Sequence, residues 1–447
     1  MRHTITDIIK NDLCTGCGIC ISESSSKMIW DENGFLVPDI SQSFSDKAIK
    51  VCPFNPNPEK EVQDEDKLAE IFFKNSRQID DKIGRFENTY VGYANEYRET
   101  SSSGGIATFI FEQLLKQKIV NHLFIVKEIN ETYQYQWFDT VEQIKQISKT
   151  RYIPVTLENL FKEIDSKEGK VAVSGVACFV KAIRLKQYYY PQYKEKIPFI
   201  VGIICGGLKS RFFTDYLAQK SGIEGEYRKQ EYRIKDAQST ASDYSFGAYN
   251  EENQHFQIKM RKVGDMWGTG LFKSLACEFC TDVATELADI SLGDAWLHPY
   301  VQDGMGNSVI LTRSKLAEKI IANGKKNKEL IIQNLSLNSF IASQSGGFNH
   351  RQKAIKFKVH SIFKTRKIKT HYRKRFEKNI TWEYKRVINL RLKTRELSFE
   401  IWKKTKIAFL FEHEISGEIK KLQKNTLIYH RINKIKKYLK AWKILKM

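Results

Sequence analysis

Three cysteines spaced Cys14-x-x-Cys17-x-x-Cys20, followed at a distance by Cys52-Pro53, constrain this chain more than any other feature. The spacing brings three thiolates into one small volume on a tight loop, with Gly16 and Gly18 relieving the backbone, and such a loop can wrap an iron-sulfur cubane. A bacterial ferredoxin run would continue to a fourth cysteine that serves a second cluster. Here that position is Ser24. A remote Cys-Pro closes the same cluster in such folds, so Cys14, Cys17, Cys20 and Cys52 are read as the ligands of one local 4Fe-4S cluster. Zinc is the competing reading, but it uses paired Cys-x-x-Cys units or Cys/His mixtures. The bland reading is chance clustering in a loop.

At 447 residues the chain is long enough for more than one domain and needs no disulfides to build a core. The start, MRHTITDIIKND, has no apolar core after its charges, and the apolar stretch Ile197 to Leu208 is too short to cross a bilayer. A cytoplasmic location is therefore expected, where eight cysteines point to metal ligation or redox chemistry. Cys178 follows the run VAVSGVA and Cys205 follows PFIVGII, so both stand at carboxyl ends of predicted strands, the edge where ligands of α/β sheets collect. Cys277-Glu278-Phe279-Cys280 adds a pair able to grip one metal or cluster. Spacing alone leaves apolar filler cysteines, structural zinc and a redox pair open for this second set.

The predicted fold class is α+β to α/β, in four parts. Residues 1–58 form a small ferredoxin-like domain whose Asn33-Gly34 marks a β-hairpin, and 59–87 a linker with a short solvated helix. Residues 88–347 form a mixed α/β core: the strand YVGYA, the helix IATFIFEQLLK, the strand KVAVSGVA, a helix through Ile183, the strand PFIVGIIC, and the helix RFFTDYLAQK ended by Gly222. Within it, 227–262 should be antiparallel strands, because aromatic and polar residues alternate.

Residues 348–447 are expected to be a basic helical tail. From His350 onward there are 30 lysines and arginines against 7 acidic residues, which leaves the preceding residues near neutral. Ile428, Ile432, Ile435, Leu439 and Trp442 recur at helical spacing. Amphipathic basic helices with Trp402, Phe409, Phe411, Tyr429, Tyr438 and Trp442 suit an anionic membrane surface, and peripheral attachment at the inner face is the preferred reading. A partner-docking arm is the alternative. No recognised module frames the charge for nucleic acid, so none is expected as a partner.

The chain resembles the family of coenzyme F(420) hydrogenase/dehydrogenase beta subunits, in the bacterial polysaccharide-locus form that carries an N-terminal 4Fe-4S ferredoxin domain. The resemblance covers about residues 5 to 345. It rests on DLCTGCGIC with CP, SSSGGIATFIFEQLL, TRYIPV, VAVSGVACFVKAIR, VGIICGG, CEFC, and ELADISLGDAW with GNSVILTRS, all in family order. The resemblance implies a second 4Fe-4S cluster held by Cys178, Cys205, Cys277 and Cys280, beside an FAD. It further implies an oxidoreductase relaying electrons between two clusters and FAD to a small-molecule substrate or redox partner protein, in a surface-polysaccharide setting. A non-catalytic electron-transfer subunit serving a partner enzyme is the alternative. The basic tail has no counterpart in the hydrogenase subunits, and nothing in the sequence identifies a deazaflavin pocket.

Ser103, Gly104 and Gly105 precede a helix N-terminus, which favours phosphate, and match a family motif that would cradle the FAD pyrophosphate. An ordinary N-cap is the plainer reading. Thr150, Arg151 and Tyr152 match a second motif, where arginine would pair with phosphate and tyrosine lie against a ring. Asp289 and Asp294 are not read as a catalytic pair, since Asp294 is expected to fix a turn. His298, just after Trp296, is the nearest candidate proton donor, with a surface-loop histidine the preferred reading, and no side chain is assigned a catalytic role.

Overall fold

The computed structural model describes residues 3–129, 132–144, 149–366 and 370–445. The N-terminal unit begins with the helix Ile5–Lys10, capped reciprocally by Thr4 and Asp7. That helix buries Ile5 and Ile8 against the cysteine loop. The predicted hairpin pairs Met28–Trp30 with Leu36–Pro38. Asp31 holds its turn by accepting the N–H groups of Asn33 at 2.9 Å and Phe35 at 2.8 Å.

The turn is also a docking point. Gly34 has φ 72°, and a Cβ there would meet Arg211 Cγ at 2.5 Å. The Gly34 carbonyl accepts the N–H of Arg211 at 2.9 Å. On its other side the unit is tied down where Leu157 N–H meets the Cys17 carbonyl at 3.0 Å and a buried Lys186–Glu23 ion pair forms.

The linker holds a short helix, Glu65–Phe72, with Asp64 accepting the Lys67 N–H at 3.0 Å, but it is not solvated as expected, since Leu68 and Ala69 are buried in the core. It also holds a small hairpin, Gln78–Asp80 with Gly84–Phe86.

The core is an eight-stranded sheet in the order Leu330–Asn334, Asn88–Ala94, Ser308–Thr312, Ile290–Asp294, Phe199–Ile203, Val171–Val176, His122–Ile129, Thr132–Phe138. The strands Ile290–Asp294, Phe199–Ile203, Val171–Val176 and His122–Ile129 run parallel, and every other pairing is antiparallel. Strands in the parallel block are apolar almost throughout because helices such as Ala177–Tyr189 and Ile106–Lys116 cover the faces. The strand order expected from α/β alternation is thus only half parallel: Asn88–Ala94 lies antiparallel between Ser308–Thr312 and Leu330–Asn334. A separate antiparallel sheet of Tyr227–Ile234, Ser245–Asn250 and His255–Lys259 accounts for the aromatic alternation.

The basic segment departs most from expectation. Its helices Trp382–Thr405 and Ala408–Leu445 pack on each other and on the core. Trp402, Phe411 and Tyr429, three of the aromatics expected to meet a membrane, are buried. Phe411 stacks on Phe272 with centroids 5.1 Å apart, and Tyr384 on Tyr429 at 4.6 Å. The inward face of the last helix is Phe411, Ile415, Leu422 and Tyr429, whereas Ile428, Ile435 and Leu439 of the predicted stripe are exposed. Phe409 and Tyr438 are exposed too. The side chain of Trp442 lies outside the described residues. A helical period shows that an apolar face exists, and here much of that face is satisfied by the protein's own core rather than by lipid. Among the described residues no helix is long and apolar enough to cross a membrane.

Candidate functional site

Cys14, Cys17, Cys20 and Cys52 line one small cavity of about 20 Å³, walled by Ile5, Ile8, Leu13 and Val51. All eight cysteines are free thiols. Burial first, and then the charges of Cys17, Cys14 and Cys52, hold the Cys20 thiol well above its ordinary value. Burial and then Cys17 push Cys52 up to about 12. Thiols crowded this way stay protonated until a cation replaces their protons, which couples binding to proton release. The Gly16 N–H donates to Cys14 Sγ at 3.5 Å.

The second group gathers at the carboxyl edge of the parallel block. Cys178 is the second residue of the helix that follows Val171–Val176, Cys205 stands just past Phe199–Ile203, and Cys277 sits in the short turn Leu275–Glu278. Burial, then repulsion from Cys277, Cys280 and Cys205, holds Cys178 well above its ordinary value, which places the other three thiols close to it. Three sulfurs accept hydrogen bonds: Cys205 from Gly207 N–H at 3.3 Å, Cys277 from Leu208 N–H at 3.2 Å, and Cys280 from Arg351 Nη2 at 2.5 Å. N–H donors aimed at sulfur are a recurrent device around iron-sulfur clusters.

Among the described residues no three His, Cys, Asp or Glu side chains are grouped so as to hold a single metal ion. A lone zinc draws its thiolates to about 2.3 Å from one centre. In a cubane each thiolate binds its own iron, so the four sulfurs stand further apart. The cysteines fall into two groups, one lining the small N-terminal cavity and one gathered at the sheet edge. They are also neighbours, because Cys52 of the first and Cys178 and Cys280 of the second line the same cavity of about 40 Å³, with Phe279 and Lys181 beside them.

On the other side of the second group opens a cavity of about 340 Å³, reached by Cys205 and roofed by Thr15, Phe35 and Leu36 of the N-terminal unit. Ser102, Ser103, Gly105 and the first turn of the helix Ile106–Lys116 line one end. Gly104 instead donates its N–H to Ser308 Oγ at 3.2 Å, and Lys235 Nζ braces the loop on the Ser103 carbonyl at 2.7 Å. Thr150, Arg151 and Tyr152 line the same cavity, linked to the serine loop where Thr150 N–H meets Ser102 Oγ at 2.8 Å. The two motifs, far apart in sequence, therefore converge.

Arg151 lies over the Tyr133 ring at 4.3 Å, and its buried Nε has no hydrogen-bond partner. The buried Nε of Arg233 is unpartnered likewise. Lys209 lies 4.8 Å from the Trp267 ring, and burial followed by the Lys273 charge pushes its ammonium down to about 7. Helix N–H groups, unpartnered guanidinium N–H groups and the aromatic walls of Tyr152 and Trp267 suit a phosphate-bearing cofactor with a planar ring.

The carboxylates of ADISLGDAW are otherwise engaged. Asp289 accepts from Arg184 Nη2 at 3.0 Å and from the Ile200 N–H at 2.9 Å. Asp294, expected to fix a turn, instead pairs with Arg233 at the cavity wall. His298 is exposed. Sequence reasoning missed Arg351, Lys209, Arg233 and Trp267, since a lone arginine, lysine or tryptophan carries no spacing signal.

Residues 89–162 match the N-terminal family model of coenzyme F(420) hydrogenase/dehydrogenase, beta subunit, and residues 168–337 match the model of its C terminus. Coenzyme F(420)-dependent sulfite reductase of Methanocaldococcus jannaschii is 21% identical over 339 residues, covering 71% of this chain and 46% of that protein. The chain thus spans just under half of that relative. An F(420)H(2) dehydrogenase subunit of Methanosarcina mazei is 22% identical over 347 residues, 74% of this chain and 90% of that one. A chain of the xenon-derivatised F(420)-reducing NiFe hydrogenase complex from Methanosarcina barkeri superposes with a TM-score of 0.49 at 20% identity, over 64% of this chain and 96% of the other.

Proposed function

Because the chain belongs, through residues 89–162 and 168–337, to the family of coenzyme F(420) hydrogenase/dehydrogenase beta subunits, we propose that it is an iron-sulfur flavoprotein oxidoreductase. Cys14, Cys17, Cys20 and Cys52 would hold an outer 4Fe-4S cluster, and Cys178, Cys205, Cys277 and Cys280 an inner one. FAD would occupy the large cavity. One observation carries the reading: Cys52, Cys178 and Cys280 share a cavity wall, while Cys205 lines the large cavity, so the two cysteine groups adjoin each other and the second adjoins the cofactor space. When bound, the clusters supply one-electron carriers and the flavin interconverts one- and two-electron chemistry.

The chain's own residues bind, orient and shield. Ser102, Ser103 and the first turn of Ile106–Lys116 would receive the pyrophosphate, with Arg151 supplying the opposite charge. Tyr152 and Trp267 would flank the ring. Phe35 and Leu36, which line the same cavity, would help to keep water from a bound cofactor.

Anaerobic reconstitution of the full chain, followed by iron, sulfide and flavin quantitation, tests the reading. About eight irons with matching sulfide and one releasable FAD per chain are expected. Zinc without labile sulfide would sink it. Iron and sulfide without FAD would favour instead an electron-carrier subunit serving a partner protein, a reading supported by the word "subunit" in the Methanosarcina mazei relative's name. The surface-polysaccharide setting rests on the sequence resemblance alone.

A further inference from the structure

Arg351 lies in a single wide helical turn, Asn349–Lys353, beyond the family-matched residues. It is only 4% exposed. Its Nη1 donates to the Cys205 carbonyl at 2.6 Å, its Nε to the Cys280 carbonyl at 3.3 Å, and its Nη2 to Cys280 Sγ at 2.5 Å. All three guanidinium nitrogens thus donate to two of the inner cysteines. Among the described residues no carboxylate forms an ion pair with it, and burying a guanidinium without a counter-charge is strongly unfavourable. The negative charge its surroundings offer is that of the inner sulfurs, Cys280 first, and behind them the buried Asp282 carboxylate.

The turn that presents Arg351 is braced on both sides. His350 stands 3.2 Å from the buried Glu278 carboxylate, and its Nδ1 lies 3.2 Å from Arg391 Nη1 on the helix Trp382–Thr405. Gln352 Nε2 donates to the carbonyls of Lys82 at 2.7 Å and Thr281 at 3.1 Å. The guanidinium is therefore held in place by three separate parts of the chain.

We propose that Arg351 is a positioning residue of the inner cluster that raises its reduction potential, so that the basic segment serves redox tuning. This rests on the reading of Cys178, Cys205, Cys277 and Cys280 as cluster ligands. One-electron reduction adds a negative charge to the cluster and its thiolates, while the arginine stays protonated throughout, so no proton need move. A fixed cation and an N–H···S bond stabilise the reduced form more than the oxidised one, which raises the potential. The two carbonyl contacts also fix the backbone at Cys205 and Cys280, setting where their sulfurs point.

The test is an EPR-monitored redox titration of the anaerobically reconstituted full chain, comparing wild type with Arg351→Lys and Arg351→Gln. The inner centre's midpoint should fall in the order wild type, lysine, glutamine, with the outer centre unmoved. Lysine keeps the charge but cannot serve all three acceptors, so a purely structural role would not give that order. Should the glutamine variant lose the inner centre, wild type against lysine decides, with a lower lysine midpoint expected. Equal inner midpoints, or loss of the inner centre in both variants, would overturn the tuning role. Wild-type protein lacking a second centre would overturn the two-cluster reading itself, and the role of Arg351 with it.

Discussion

Lys358 Nζ stands 3.1 Å from the carboxylate of Glu278, which lies 80 residues earlier in the chain and between the two cysteines of Cys277-Glu278-Phe279-Cys280. Lys273 and His350 close in on the same carboxylate. The inner cysteine loop and the basic segment are therefore joined by a buried charge cluster rather than by a surface contact.

Glu278→Gln should destabilise the fold by about 3–5 kcal/mol, because it leaves the buried Lys273 and Lys358 without their anion. Burial works against the Glu278 carboxylate, yet Lys273, Lys358 and His350 hold it well below the usual range. A carboxylate with a lowered folded value stabilises the fold fully above its unfolded value, and that stability is lost as pH falls through the lowered one. Urea unfolding across pH should show a constant gap between wild type and variant down to about pH 4, shrinking only below it.

The two cysteine groups should fail independently. Cys17→Ser is expected to abolish the outer EPR signal and about half the iron while the inner signal persists, and Cys277→Ser to do the reverse. Loss of both signals from either variant would mean that the eight cysteines form one site.

Arg151→Gln should weaken flavin retention about tenfold or more, the worth of a charge-assisted hydrogen bond to phosphate. FAD released on denaturation is the readout, with iron content unchanged. Full flavin occupancy at low FAD concentration would remove Arg151 from the site.

Phe411→Ala, at a fully buried position among Phe272, Trp402 and Tyr216, should cost about 3–5 kcal/mol. Phe409→Ala, at a side chain 75% exposed, should change stability by less than about 0.5 kcal/mol. Thermal unfolding of both variants separates a folded tail from a loosely attached arm, for which neither substitution would matter.

Legibility from sequence followed the range of the interaction. Gly16, Gly18 and the two-residue gaps between Cys14, Cys17 and Cys20 describe a loop whose geometry is local, so the clustering of these thiols was readable. The runs VAVSGV and FIVGI, buried on both faces, were readable as strands for the same reason. The paired strands His122–Ile129 and Thr132–Phe138 and the strands Ile290–Asp294, Ser308–Thr312 and Leu330–Asn334 were not, because their short segments are defined by the neighbours they pair with. The serine loop and the Thr150–Tyr152 segment were each visible as motifs, but their meeting at one cavity was not.

The sequence by itself determined which side chains carry sulfur and charge, how the first three cysteines are spaced, and that the basic segment contains helices with an apolar face. Only the tertiary structure decided that Cys52 stands beside Cys178 and Cys280, that Arg351 reaches Cys280, and that Phe411 and Tyr429 turn inward. Spacing encodes contacts within a turn or two of chain. Which distant surface completes a half-made site depends on how whole elements pack, and no single segment specifies that.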